Sequence, residues 1–231
     1  MWNRADLKSK GKAAFQGNYW PCVIVALILN LLTAGTAGSV TRKSQEASDE
    51  IAGAVNGMDE SVLIAVLVAI VSLAAVIGIV SLLLRIFVFN PLEVGCYHFF
   101  KKNIQESKAS IGVIKEGFGN YVHVFLTLLV RDIFLVLWSC LFCIPGIIKG
   151  YSYRMVPFII KDNPELSATE VITKSREMMN GNKWAAFVLD LSFIGWHLLG
   201  ICTLGLVSLL WTNPYVYNTN AALYLELKNR G

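Results

Sequence analysis

Three long stretches of this sequence contain no charged residue, and they constrain the fold more than any other feature. They cover residues 13–41, 61–84 and 191–225. Each exceeds the roughly 20 apolar residues that a helix needs to cross a hydrocarbon core about 30 Å thick. A fourth apolar run, residues 122–148, is interrupted only by an adjacent Arg and Asp. A soluble protein would have to bury all four runs in one core, so the sequence predicts an all-α membrane protein.

The composition indicates the same class of protein. Hydrophobic residues make up 55% of the chain and charged residues 16%, whereas a soluble domain carries about 25% charged residues. The net charge of +4 is modest and no basic patch is interleaved with aromatic residues, so nucleic acid is not a predicted partner. The five cysteines are odd in number and lie mostly in apolar segments, which argues against a disulfide framework. Cys140 and Cys143 form a CxxC without a second pair or a histidine cluster, so no metal and no cofactor is predicted.

The lengths of the apolar blocks predict six helices. The blocks cover residues 19–40, 62–89, 121–160 and 184–225. The third block is too long for one crossing, and Pro145 with Gly146 supplies a break inside it. The fourth block is also two crossings long, with Gly200 and Gly205 beside a plausible turn. We therefore expect a polytopic bundle of six transmembrane helices arranged as three hairpins.

Lysine and arginine concentrate on one side of this predicted bundle. The amino-terminal arm, the segments after helices two and four, and the tail together hold 14 of the 20 basic residues. Loop 41–61 has two basic residues against five acidic ones. Because basic loops remain in the cytoplasm, we expect an outward-facing loop 41–61 and cytoplasmic termini. Lys8, Lys10 and Lys12 before the first run also fit a cleaved signal peptide. A retained helix is favoured because the uncharged run continues to Thr41.

A short motif marks the start of three apolar runs. GNYW at residues 17–20 recurs as GNYV at 119–122 and as GNKW at 181–184, each after a short stretch of mixed charge. Glycine ends helices well and asparagine begins them well. We therefore predict three corners at which a short amphipathic interfacial helix turns into a membrane helix, with anionic lipid headgroups as partners at the inner face. The corners divide a single membrane domain, residues 1–231, into hairpin units of about residues 5–101, 109–163 and 166–228.

Several segments also resemble a known family. They are LWSCLFCIPGIIKGYSYRMVPFIIKDNPELSATEVITKSREMMNGNKW, FVLDLSFIGWHLLG and NPYVYNTNAALYLEL. The chain is similar over nearly its whole length to bacterial membrane proteins grouped as domain of unknown function 975, most specifically in PGI and SFIGW. The PGI segment is more distantly similar to the membrane domain attached to some glycerophosphodiester phosphodiesterases, whose catalytic barrel has no counterpart here. The resemblance implies a multi-pass protein of the bacterial plasma membrane and supplies no known reaction.

Six charged residues fall inside the predicted membrane helices. They are Arg85, Arg131, Asp132, Lys149, Arg154 and Asp190. A charge at the bilayer centre costs about 2.5 to 3.5 kcal/mol, so these side chains must face protein, water or the interface. Arg85 and Lys149 lie near helix ends, where long side chains reach the headgroups. The other four, Arg131, Asp132, Arg154 and Asp190, form a candidate buried charge cluster.

The helical rise predicts partners within this cluster. Counted from the Pro145 turn, Asp132 lies 13 residues back and Arg154 lies 9 residues forward, an offset of about 6 Å along the axis. An arginine side chain spans that distance. We therefore predict that Asp132 pairs with Arg154 and that Asp190 pairs with Arg131, which would clamp the hairpins together.

The last predicted helix carries one polar face. Its members, spaced four, three and four residues apart, are Asn213, Tyr217, Asn220 and Tyr224. Such a face either caps the kink at Pro214 or completes a polar cavity, and the structural role is favoured.

These patterns leave the molecular activity open. No nucleophile elbow, zinc-protease motif, phosphate loop or dinucleotide fingerprint occurs, so no catalytic residue is predicted. We favour a non-enzymatic integral membrane protein, structural or envelope-related, whose buried charges hold the bundle together. The alternative is a transporter or a lipid-binding protein in which the same charges line a cavity for an anionic headgroup or a small solute. A membrane enzyme with an unrecognised site is a lesser alternative. Protein partners and oligomeric state are not predictable from these patterns.

Overall fold

The chain is helical wherever its structure is described. The computed structural model describes residues 2–34, 59–106, 108–141 and 143–230, and no strand occurs in these ranges. The α-helices are α1 (Arg4–Gly17), α2 (Tyr19–Ala34), α3 (Glu60–Leu84), α4 (Asn90–Glu106), α5 (Tyr121–Leu141), α6 (Cys143–Ser152), α7 (Val156–Asp162), α8 (Ala168–Met178), α9 (Lys183–Leu191), α10 (Ile194–Cys202) and α11 (Asn213–Lys228). A 3-10 helix (Ile111–Phe118) and two π-helical turns (Arg85–Phe89 and Ser208–Thr212) complete the order. The all-α prediction is confirmed.

The chain divides into two compact units. The smaller unit is Asn30–Phe89, and the larger unit consists of Met1–Leu29 and Asn90–Gly231. The smaller unit contains α3, a 25-residue helix in which the segment Ile64–Ser81 is not buried against protein at all. The predicted outer loop 41–61 falls largely outside the described residues.

The described residues contain three to four candidate membrane spans and not a clear set of six. Ile64–Ser81, Tyr121–Leu141 and Lys183–Cys202 are each long and apolar enough to cross, and α1 with Tyr19–Leu32 forms a fourth, bent by 106°. The predicted returning helices are interrupted. Helix α6 has 10 residues and α7 has 7, with a turn between them, and a π-helical turn precedes α11.

The predicted reversal near Pro145 is present. Helix α5 ends at Leu141 and α6 begins at Cys143, so Pro145 lies in the first turn of α6, where its missing N–H is not needed. Gly146 packs so closely on α5 that a Cβ atom there would lie 2.8 Å from the Ser139 Oγ. The two helices therefore fold back on each other at this point.

The predicted turn between Gly200 and Gly205 is also present. Leu204 and Gly205 both have positive φ, 52° and 90°, and the Gly205 N–H donates to the Gly200 carbonyl at 2.7 Å. Gly200 faces Ser208 across the turn, with no room for a Cβ atom. Leu204, at the tip, is 96% exposed. The reversal thus presents an apolar tip.

Each GN motif lies at a helix boundary, as predicted, but the three copies differ in backbone geometry. Positive φ occurs at Asn120 in the second copy and at Gly181 in the third. In the first copy, Asn18 lies at the 106° bend between α1 and α2. Its side-chain amide donates to the Asn103 Oδ1 at 2.8 Å and to the Ala109 carbonyl at 2.9 Å. The motif therefore marks a boundary and not one repeated conformation.

The core of the larger unit forms where amphipathic helices pack on α11 and α4. Helix α1 buries Leu7, Gly11 and Phe15, and Gly11 touches Thr219 of α11. Helix α4 packs against the 3-10 helix, and Gly95 meets the Ile114 carbonyl there. Helix α4 also contacts α7 and α11, so these three helices lie beside one another.

Candidate functional site

Arg131 of α5 is the centre of the first buried charge cluster. Its Nη1 donates to the Glu93 Oε1 at 3.0 Å, and its Nε donates to the Asp132 Oδ1 at 2.9 Å. The Arg131 side chain is 11% exposed. Glu93 lies in the first turn of α4, so the cluster joins α4 to α5. Sequence reasoning missed Glu93 because it lies just beyond the predicted end of helix two at Phe89.

Arg154 is the centre of the second cluster. It lies in the turn between α6 and α7, and its two terminal nitrogens donate to the two carboxylate oxygens of Asp190 at 2.8 and 2.7 Å. Its Nη2 also donates to the Asn220 Oδ1 at 2.6 Å, and the Tyr151 hydroxyl donates to Asp190 at 2.9 Å. One guanidinium therefore joins the α6–α7 turn to α9 and to α11.

The predicted partners of the two arginines are corrected by this geometry. Arg154 binds Asp190 and not the predicted Asp132, while Arg131 binds Glu93 and Asp132 and not the predicted Asp190. The prediction counted residues along an uninterrupted helix from Pro145 to Arg154. The break at residues 153–155 redirects the Arg154 side chain, so counting residues along an axis could not find its partner.

Asp162, at the end of α7, is the centre of a third cluster. Lys101 of α4 contacts it directly, and both side chains are 7% exposed. Lys228 donates to it at 2.6 Å and the Tyr224 hydroxyl donates at 2.7 Å. Burial alone raises the pKa of the Asp162 carboxyl, but these three hydrogen bonds outweigh burial and lower that pKa below its usual value. The cluster joins α4, α7 and α11. The sequence pattern places Lys101 after helix two and Lys228 in the tail, among the basic residues outside the membrane helices.

His98 and Glu116 form a smaller polar contact beside the third cluster. The His98 Nε2 lies 2.9 Å from the Glu116 Oε2, and Lys102 donates to the other Glu116 oxygen at 3.0 Å. Burial, reinforced by the charge of Lys101, lowers the pKa of His98 to about 4. The imidazole is therefore neutral at pH 7, and its Nε2–H donates to Glu116.

The four residues of the predicted polar face of α11 lie in different environments. Asn220 and Tyr224 complete the second and third clusters. The Tyr217 ring packs 5.3 Å from the Phe100 ring, and Asn213 is the first residue of α11. The carbonyl of Pro214 accepts its hydrogen bond from Asn218, at 2.8 Å, which is not on the predicted face.

Asn218 belongs to a buried amide network that sequence reasoning also missed. Its Oδ1 accepts a hydrogen bond from the Asn103 Nδ2 at 3.0 Å, and the same Nδ2 donates to the Ala14 carbonyl at 3.0 Å. Asn18 donates to the Asn103 Oδ1. The network joins the α1–α2 corner to α4 and α11. Among the members of this network, only Asn18 belongs to a motif identified in the sequence, the first GN pair.

Each charged residue in these clusters contacts an opposite charge, in most cases on another helix. Four surface cavities are lined by residues other than Arg131, Asp132, Arg154 and Asp190. One of them is an apolar cavity of about 360 Å³ that includes Tyr151. Among the residues whose structure is described, no group of three or more His, Cys, Asp or Glu side chains could hold a metal ion. The arrangement is suited to joining helices.

Comparison with known proteins agrees with the resemblance found in the sequence. The family model described as "Protein of unknown function (DUF975)" matches residues 23–231. No curated protein and no solved structure matches the chain.

Proposed function

Because the chain belongs to this family of proteins of unknown function, we propose its role from the geometry of its own side chains. The protein is an integral membrane protein without catalytic activity and with a structural, envelope-related role. It is a multi-pass protein of the bacterial plasma membrane with both termini in the cytoplasm, and membrane lipids are its immediate partners. Six membrane-embedded helices form three hairpins, and the arginine–carboxylate clusters hold those hairpins together.

Exposed apolar side chains at the ends of two hairpins support insertion into a membrane. Ile144, beside the α5–α6 reversal, is 72% exposed, and Ile201 and Leu204, at the next reversal, are also highly exposed. Helix α3 exposes apolar side chains along its length. Soluble proteins rarely expose contiguous apolar surfaces of this extent. Contact with lipid acyl chains accounts for the exposure of all three apolar surfaces.

The contact of Arg154 with Asp190 and Asn220 carries the proposed structural role. Its guanidinium connects three segments of the chain, and its charge is neutralised by a carboxylate. A buried charge that loses its partner is strongly destabilising, so such a pair holds helices in register. Transport or lipid binding by the same charges has less support, because Arg131, Asp132, Arg154 and Asp190 each bind an opposite charge. The absence of a recognised catalytic motif supports a non-enzymatic role.

The lengths of the hairpins limit how deeply each pair of helices can enter the membrane. The α5 arm from Asp132 to Leu141 and the α6 arm from Cys143 to Arg154 extend about 15 to 18 Å, and the third hairpin extends a similar distance beyond Asp190. Six complete crossings, which the run lengths predict, would hold the charge clusters near the middle of a core about 30 Å thick. Because mid-bilayer charges are costly, we propose that the first pair crosses and that the second and third pairs enter from the cytoplasmic face.

Cysteine labelling tests this arrangement. In a variant without native cysteines, Ser48→Cys in loop 41–61 and Leu204→Cys at the third tip are exposed in turn to a membrane-impermeant maleimide added outside spheroplasts. We expect Ser48→Cys to react and Leu204→Cys to react only after detergent is added. Equal labelling of both would instead support six complete crossings. Release of the protein from membranes by alkaline carbonate would contradict membrane insertion itself.

A further inference from the structure

An apolar cavity lies between α6 and the start of α9. It has a volume of about 360 Å³ and is lined by Ile147, Ile148, Tyr151, Lys183, Trp184 and Phe187. This volume is near the lower end of the roughly 300 to 1,000 Å³ typical of ligand sites, enough for part of one hydrocarbon chain. Trp184, at the rim, is 74% exposed. The cavity thus combines an apolar floor with an aromatic edge of the kind found at membrane interfaces.

Three cations gather beside this cavity. Lys183 itself lines the cavity, Lys149 follows the lining residue Ile148 on α6, and the charge of Arg176 also acts on Lys149. The Lys149 ammonium lies 4.5 Å above the centre of the Trp138 ring, a cation–π contact that holds it in place. Arg176 comes from the last turn of α8 and Lys183 begins α9. The third GN corner therefore brings positive charge from three helices into one region.

Asp190 does not cancel this positive charge. Asp190 accepts a hydrogen bond from Tyr151, which lines the cavity, but its two oxygens are already bound to Arg154. An anion at the three cations would therefore meet little repulsion from Asp190. Proximity among like charges is unfavourable without a counterion, so the geometry favours an anionic occupant.

We propose that this corner binds one anionic phospholipid, with its phosphate at Lys149, Arg176 and Lys183 and part of an acyl chain in the apolar cavity. The site rests on the proposed membrane insertion. It differs from the charge clusters, which bind their own partners. In the proposed arrangement the Arg154 cluster lies at the cytoplasmic surface, and Lys149, five residues before Arg154, reaches the headgroups with its long side chain.

The occupant is a lipid and not a soluble anion because the cations and the apolar cavity lie next to each other. A free phosphate would use the cations and leave the cavity floor exposed to water. A phospholipid covers both. The two methyl-rich side chains Ile147 and Ile148 are exposed in the protein alone, and an acyl chain would bury them.

Native mass spectrometry on the full chain in detergent tests the site, with phosphatidylglycerol and phosphatidylcholine titrated separately. We expect one retained phosphatidylglycerol and much weaker retention of phosphatidylcholine. The K149A/K183A variant should bind phosphatidylglycerol about 30-fold more weakly, the effect of two cations worth about 1 kcal/mol each. The matched control K108A/K115A removes two exposed lysines elsewhere and should bind like the wild type.

Further variants test separately how the charges and the apolar cavity contribute to lipid binding. K149R/K183R keeps both charges and should retain the lipid, which assigns weaker binding by K149A/K183A to the lost charges, and denaturant titration of both variants checks that each is folded. Ile148→Gln places an amide at the cavity and should weaken binding, whereas Ile194→Gln, at an exposed site on α10, should not.

Several results would overturn the proposal. These are equal affinity for the two lipids, an equal loss in K108A/K115A, or displacement of the lipid by inorganic phosphate alone. If the protein resists alkaline carbonate but shows no lipid preference, the lipid site is wrong and membrane insertion stands. If carbonate releases the protein, membrane insertion fails first.

Discussion

Arg154 and Asp190 form a two-point ion pair, with nitrogen–oxygen distances of 2.8 and 2.7 Å. The planar guanidinium presents two parallel N–H groups to the two carboxylate oxygens, which is the strongest common geometry for such a pair. The Tyr151 hydroxyl also donates to the Asp190 carboxylate, and the Arg154 guanidinium also donates to the Asn220 side-chain oxygen. The pair is therefore held on both sides, and breaking it leaves several polar atoms without partners.

Removing one charge from this pair should destabilise the protein. Asp190→Asn leaves the partly buried Arg154 without its counterion, and we expect a loss of about 2 kcal/mol, between the values for exposed and buried pairs. Arg154→Lys keeps the charge but loses the two-point geometry, and should cost about half as much. Unfolding by denaturant in detergent micelles measures both. Asp6→Asn, which breaks the exposed pair with Lys10, is the control and should change stability by less than about 0.5 kcal/mol.

The exchanged variant R154D/D190R tests whether the pair itself is responsible. It keeps both charges at the same contact, so it should recover part of the stability that Asp190→Asn loses. Wild-type stability in Asp190→Asn would contradict the clamp.

The amide network around Asn103 should be as sensitive as the ion pair. Asn103→Ala removes the acceptor of Asn18 and the donor to Asn218 and to the Ala14 carbonyl at once. Buried polar atoms left without partners cost about 1 to 3 kcal/mol. We expect a loss of about 3 kcal/mol, measured by the same denaturant titration. The exposed Asn180→Ala is the control, and an equal loss there would show that the assay does not report on the network.

Helix positions could be predicted from the sequence because their signals are local. A charge-free run, a Pro-Gly break and a GN boundary each act on a few neighbouring residues. The reversals at Gly146 and at Gly205 therefore lie where the sequence places them. The number of complete spans could not be predicted in the same way. A run of 40 apolar residues permits two straight helices or two interrupted ones. The local signal for the turn at residues 153–155 is Pro157, in the first turn of α7, and it does not distinguish a kink from a break.

The charged residues could be identified from the sequence, but their partners could not. Arg131 and Arg154 stand out because charges are rare in apolar runs. Glu93 and Asp162 do not, since each lies where a run ends and looks like an ordinary loop charge. Pairing depends on how helices pack, and α4 brings Glu93 to Arg131 from 38 residues away along the chain. Sequence spacing carries no information on that contact.

The contact between α4 and the 3-10 helix should tolerate no added carbon at Gly95. A Cβ atom there would overlap the Ile114 carbonyl, so Gly95→Ala must push the two helices apart. Overpacking of this kind costs about 1 to 3 kcal/mol. The control is Gly150→Ala in α6, where a Cβ atom meets nothing within 4 Å and helix propensity favours alanine by about 1 kcal/mol. Thermal unfolding of the two variants should therefore shift in opposite directions, and equal shifts would contradict the close contact.

Stability should fall on mild acidification because of His98. The pKa of His98 is about 4 in the folded protein, against an ordinary value of 6.5. Above pH 6.5 neither the folded nor the unfolded chain protonates this imidazole, so its contribution to stability is fully present. Between about pH 6.5 and pH 4 the unfolded chain binds a proton that the folded chain does not, and stability therefore falls as pH falls. After allowance for solvent screening, the total effect is about 1 to 2 kcal/mol.

The residues around His98 determine which variants test this pH dependence. Lys101 and Lys102 oppose a charge on the imidazole, and Glu116 favours one. His98→Gln cannot titrate at this position, so its stability should fall less steeply than that of the wild type from about pH 6.5 to pH 5, above the range in which carboxylates titrate. Glu116→Gln removes the favourable neighbour and should steepen the dependence. Denaturant titrations at several pH values in this interval measure all three proteins. An equal slope in the wild type and in His98→Gln would assign the pH dependence to another group.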